Sequence, residues 1–260
     1  MRYFILFLSC TICLQALSQK QKVKEAFYVF DEHWESATDL EHAAYFMNMI
    51  PENDSVFICR YYKKDGPMVR QESYLDADLT IPNGRFAWYN EKGVIDSSGM
   101  VWRNKKDGYW SYYNDTIKTI RVKKYDKGKW LYTEDMLQKK KTNADGTIED
   151  IVPGDTTGHV AADFPGGLAG WRKYMERNLE VPNRFKNLNQ EGGKGVVVVV
   201  FLINKEGFIH IEYITRSCEY SLDAEALRII GKGPKWLPAT IHGEKVAFSQ
   251  MQSITFNYGH

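Results

Sequence analysis

Val196-Val197-Val198-Val199-Val200-Phe201-Leu202-Ile203 decides the fold, and the turn Asn204-Lys205-Glu206-Gly207 follows it directly. The run is apolar at both parities, which predicts a strand covered on both faces. The turn fits a hairpin back into Phe208 to Thr215, where alternation puts Phe208, His210, Glu212 and Ile214 on one face. Beyond it, Ser221 is placed to cap a helix whose buried stripe is Leu222, Ala226, Ile229 and Ile230. Gly231, Gly233 and Pro234 end that helix, and the cluster Trp236-Leu237-Pro238 comes next. A last strand is expected from Val246 to Phe256, with Val246, Phe248, Ile254 and Phe256 on one parity. Gln250 and Gln252 interrupt that parity, and a polar middle suits a sheet edge. Upstream of the apolar run, Phe164-Pro165-Gly166-Gly167 leads into a helix with Leu168, Trp171, Met175 and Leu179 as its stripe. Val181-Pro182 stops it, because the residue before proline is pushed out of the helical region. The fold class is therefore α+β: a β-hairpin, helices and a third antiparallel strand.

The preceding part of the chain reads as all-β. Val56 to Tyr62, Met68 to Leu75, Arg85 to Tyr89, Met100 to Arg103, Tyr109 to Tyr113 and Ile117 to Tyr125 are β-branched and aromatic runs separated by Gly, Asn and Asp turns. Asp39 to Met49, with Leu40, Ala43, Ala44 and Met47, hints at a helix. Gly84-Arg85-Phe86-Ala87-Trp88-Tyr89-Asn90 aligns with Gly108-Tyr109-Trp110-Ser111-Tyr112-Tyr113-Asn114, and Gly128-Lys129-Trp130-Leu131-Tyr132 is a partial third copy. Each copy is a glycine turn feeding a strand whose aromatics stack on the neighbouring hairpin. The pattern resembles the MORN-type repeats. Such an aromatic stripe is most simply the core of a thin meander.

The chain has 260 residues, 43% of them hydrophobic and 26% charged, as in an ordinary globular protein. A net charge of +1 gives no electrostatic reason to expect nucleic acid. Arg2, the apolar stretch Tyr3 to Leu17 and Ala16-Leu17-Ser18 read as a signal peptide over residues 1–18. Anchoring through residues 3–17 and lipid modification of Cys10 are the other readings. Cys10 and Cys13 leave with a cleaved signal, and Cys59 and Cys218 are expected as free thiols or, less simply, as a bridge. The organisation expected is a β-repeat domain over 24–138, a linker over 139–162 rich in Lys, Asp, Gly and Thr, and a C-terminal domain over 163–258.

No catalytic constellation occurs, so no enzyme is expected. Gly192-Gly193-Lys194-Gly195 lacks the Ser or Thr of a phosphate loop and precedes a strand instead of a helix. His210 and Glu212 supply two metal ligands at most, without a third at characteristic spacing. Asp223 and Glu225 sit in a helix's first turn, where the dipole favours acids. No cofactor and no metal are expected.

The order of elements from Phe164 to Phe256 resembles the C-terminal domain of TonB, the periplasmic energy transducer. The resemblance implies β-augmentation, in which an extended peptide of a TonB-dependent outer-membrane receptor pairs with the last strand. By position the partner-binding residues are Val246, Ala247, Phe248, Ser249, Gln250, Met251, Gln252, Ser253, Ile254, Thr255 and Phe256. The implied partner is that receptor or another envelope protein, in the periplasm, with homodimerisation left open. The family's long Pro-rich spacer is not evident here. That moves the expectation from force transmission toward a periplasmic binder that supports energy-coupled transport. The alternative is an envelope interaction protein in which the MORN-like repeats bind the partner and the TonB-like domain is an accessory docking or dimerisation unit.

Overall fold

The computed structural model describes residues 24–114, 119–152, 154 and 156–259. The expected signal at 1–18, with Cys10 and Cys13, lies outside the described residues, as do 117 and 118 of the strand expected there. Among the described residues no helix is long and apolar enough to cross a membrane.

The first half of the chain is one antiparallel meander of eleven strands in strict sequence order. They are β1 (Ala26–Phe30), β2 (Tyr45–Asn53), β3 (Val56–Lys63), β4 (Met68–Tyr74), β5 (Gly84–Tyr89), β6 (Ile95–Trp102), β7 (Lys105–Asn114), β8 (Thr119–Asp126), β9 (Lys129–Asp135), β10 (Lys140–Asn143) and β11 (Ile148–Asp150). The helix expected over Asp39 to Met49 does not form. Leu40, one of its supposed apolar positions, is exposed, and Tyr45 onward is drawn into β2 by pairing on both sides. Nor are residues 140–150 a linker: they add two polar strands to the sheet.

The glycine–aromatic repeat has the geometry its spacing suggests. Gly84, Gly108 and Gly128 all take positive φ near the start of an odd-numbered strand. Phe86, Trp88, Trp110 and Tyr112 form a continuous ring ladder with centroids 5.9–6.5 Å apart. Trp110 lies flat on Gly99, where any side chain would sit 2.3 Å from the indole. Outboard of Trp110 the sheet is one layer thick, and among the described side chains none in β8 to β11 is buried. Lysine stems cover the rings there instead, with Lys124 3.9 Å from the Tyr109 centroid and Lys106 4.2 Å from Trp110.

The second half is α+β. α1 (Gly167–Asn178), α2 (Asn183–Leu188), β13 (Gly193–Ile203), β14 (Ile209–Arg216), α3 (Tyr220–Gly231) and β17 (Phe248–Tyr258) form its body. The sheet order is β14-β13-β17, all antiparallel. A small second sheet joins β12 (His159–Val160), β15 (Ala239–Ile241) and β16 (Glu244–Val246).

Val197, Val199, Phe201 and Ile203 of β13 are fully buried with Leu222, Ala226, Ile229 and Ile230 of α3. This is the stripe expected for that helix. On the other face of β13, Val200 is buried while Val196, Val198 and Leu202 are half-buried, so cover there is partial. In α1 the working positions are Trp171, Tyr174 and Met175; Leu168 is exposed. The cap of α3 is Glu219 rather than Ser221, its carboxylate accepting from the amides of Leu222 at 2.8 Å and Ser221 at 3.0 Å. Asp223 and Glu225 are buried, not displayed to solvent. Glu225 pairs with Arg228 at 2.6 Å and accepts the Glu180 amide at 2.9 Å.

The two halves share one core: Phe46, Tyr62, Met68, Ala87 and Tyr89 of the meander pack into the cluster around α3 and β13. Met68 N–H donates to Ser217 Oγ at 2.8 Å, and Ser217 Oγ–H donates to Asp223 Oδ2 at 2.6 Å. Cys59 and Cys218 are both free thiols, and burial pushes Cys59 up to about 12.

Candidate functional site

The three-stranded sheet has two edges, and the chain treats them differently. β14 is irregular: two residues, Glu212 and Thr215, are extra relative to β13. Each bulge reverses the alternation, so Ile209, Ile211 and Ile214 all pair with inward residues of β13 although they are not evenly spaced. The face expected to hold Phe208, His210, Glu212 and Ile214 is therefore broken. Glu212 turns to Arg85 at 3.7 Å and His210 is exposed. Among the described residues no cluster of three or more His, Cys, Asp or Glu side chains is arranged to hold a metal.

The meander closes this edge. Tyr89 Oη donates to the Ile214 carbonyl at 2.7 Å, Ser217 N–H donates to the Gly93 carbonyl at 2.8 Å, and Val94 bridges Arg216. Gly93 makes the approach workable. It has φ 70°, and a Cβ there would lie 2.4 Å from the Ser217 carbonyl oxygen. Beneath it, burial raises the Asp223 carboxyl to about 7, against the bonds from Ser217 and the Cys218 amide that lower it.

β17 is the opposite edge. Its 11 residues pair with β13 from Gly193–Tyr258 to Ile203–Phe248 without a single register shift. No strand pairs with its other side among the described residues. Phe248 and the even positions through Tyr258 face inward, with Ile254 and Phe256 fully buried. Ser249, Met251, Ser253, Thr255 and Asn257 are exposed. The strand contains no charged residue, no proline and no β-bulge. Those are the devices that usually blunt an edge, so the backbone groups along β17 form an open template.

Of the residues expected to bind a partner, Phe248, Ser249, Gln250, Met251, Gln252, Ser253, Ile254, Thr255 and Phe256 all lie on β17. Val246 does not: it closes β16 in the small sheet, and Ala247 is the break between the two strands. The tight turn His242-Gly243, both residues at positive φ, folds β15 onto β16 and ends that hairpin before β17 starts. Asn257 and Tyr258 extend the strand beyond the expected end.

Comparison with curated proteins and with solved structures gives no match. Against family models, residues 185–258 match TonB_C, the Gram-negative bacterial TonB protein C-terminal. The matched segment, from within α2 to the end of β17, is thus similar to the C-terminal domain of TonB.

Proposed function

We propose that β17 accepts an extended, TonB-box-like peptide of an outer-membrane transport receptor as a further strand of the sheet. The observation that carries this reading is the regular, uncharged, proline-free edge from Phe248 to Tyr258. Main-chain hydrogen bonds would supply affinity, and alternate side chains next to Met251, Ser253 and Thr255 would supply selectivity. The chain then works in the periplasm as the receptor-facing partner of energy-coupled transport. Its meander supports the domain and covers the competing edge, so that one edge alone is offered.

Disulfide trapping tests this reading. In a Cys218→Ser background, single cysteines at Ser249, Met251 and Ser253 are mixed with receptor N-terminal peptides carrying one cysteine each. Augmentation requires crosslinks that advance two peptide residues for every two strand residues. Crosslinking without that register, or capture that ignores β17, would sink the proposal.

A further inference from the structure

We propose that a cavity of about 190 Å³ between the meander and α3 is a binding site for a free α-amino acid. It lies away from β17, and the inference does not rest on the peptide reading. Asn48 of β2 lines it and is 1% exposed. The Asn48 amide nitrogen donates to Glu25 Oε1 at 2.6 Å and to Tyr220 Oη at 3.2 Å, which fixes the orientation of the amide. Its Oδ1 is buried without a donor.

Arg60 of β3 stands directly opposite Asn48 in the register and lines the same space. It donates its Nε–H to Gln71 Oε1 at 3.1 Å, which holds the guanidinium plane in place. Ile50 and Leu227 add an apolar wall. A cation held by Gln71, the Glu25 carboxylate and an aliphatic surface thus meet in one small volume. Their complement is a zwitterion with a hydrocarbon side chain. Its carboxylate would go to Arg60 and its ammonium to the Glu25 carboxylate, which the Asn48 amide holds in place. The space is well under the roughly 300–1,000 Å³ of pockets for larger organic ligands, and suits a single amino acid. Because the walls come from both halves, an occupant would tie α3 to β2 and β3.

Isothermal titration of the full chain with leucine, 4-methylpentanoate and 3-methylbutylamine tests the assignment. The acid lacks the ammonium and the amine lacks the carboxylate. Leucine is expected to bind, and each analogue to bind roughly ten-fold or more weakly. Arg60→Met is expected to bring leucine down to the level of the amine. Ala224→Phe, at an exposed helical position on the lining, is expected to abolish binding with the circular dichroism spectrum and Tm unchanged. The proposal fails if neither leucine nor any other common amino acid binds, if the analogues match leucine, or if binding survives Ala224→Phe.

Discussion

β14 and β17 flank the same central strand, yet one is finished as an interior strand and the other as an edge. β14 is bulged twice, carries His210, Glu212 and Arg216, and has its outer groups engaged by Tyr89 and Gly93. β17 is regular over its whole length and presents short polar side chains outward. The contrast teaches that openness is selective in this sheet. Across β13, one edge is bulged, charged and covered by the meander while the other has no charge, proline or bulge, which is the asymmetry the proposed strand addition uses.

Truncating equivalent side chains should expose the contrast most strongly. Ile214→Ala on the closed edge should cost about 2–5 kcal/mol in urea unfolding, because Ile214 is 1% exposed. Met251→Ala on the open edge, where the side chain is 62% exposed, should stay within about 0.5 kcal/mol. Equal costs would break the comparison. Next in size, Gly93→Ala should destabilise by about 1–3 kcal/mol, since it adds a Cβ at positive φ against the Ser217 carbonyl. Amide exchange should then accelerate in β14 and stay slow where β17 meets β13. A smaller effect is expected from Ser253→Lys: receptor-peptide affinity should fall about ten-fold, roughly 1.4 kcal/mol, with Tm unchanged. A loss of Tm there would mean that the open edge already carries structure.

A pH slope probes the comparison from beneath the closed edge. The folded Asp223 carboxyl sits at about 7, above the ordinary aspartate value, because of burial. Between about pH 4 and 7 the folded protein therefore holds a proton that the unfolded chain has released. This contribution is full below about pH 4 and is lost as pH rises through about 7. Asp223→Asn should flatten the dependence of Tm over that window. An unchanged slope would place the titration elsewhere than beneath the closed edge.

Much of this contrast could be read from residue order. The apolar run fixed β13, the Asn204–Gly207 turn placed the hairpin, and the polar middle of the last strand marked an edge. What escaped has a common physical cause: it depends on partners distant in sequence. Nothing local says that Glu212 and Thr215 are extra residues, since a bulge is defined only against the strand opposite. Glu219 is an unusual cap residue, so the hydroxyl of Ser221 was the better guess on local preference. Lys140–Asn143 and Ile148–Asp150 have a linker's composition and become strands because a neighbour offers its edge. Gly93 looked like any turn glycine until Ser217 came to rest on it. Asn48 and Arg60 belong to no motif, and only the register of β2 and β3 sets them side by side.

The single-layer stretch beyond Trp110 has a consequence for how such a protein can vary. Each outboard strand is held by its neighbours in the sheet, so hairpins can be added or removed at the β11 end without repacking the domain at the other end. Each strand changes the reach by about 4.8 Å. Under the proposed reading, the meander sets a reach in whole-strand steps while the β17 edge stays unchanged.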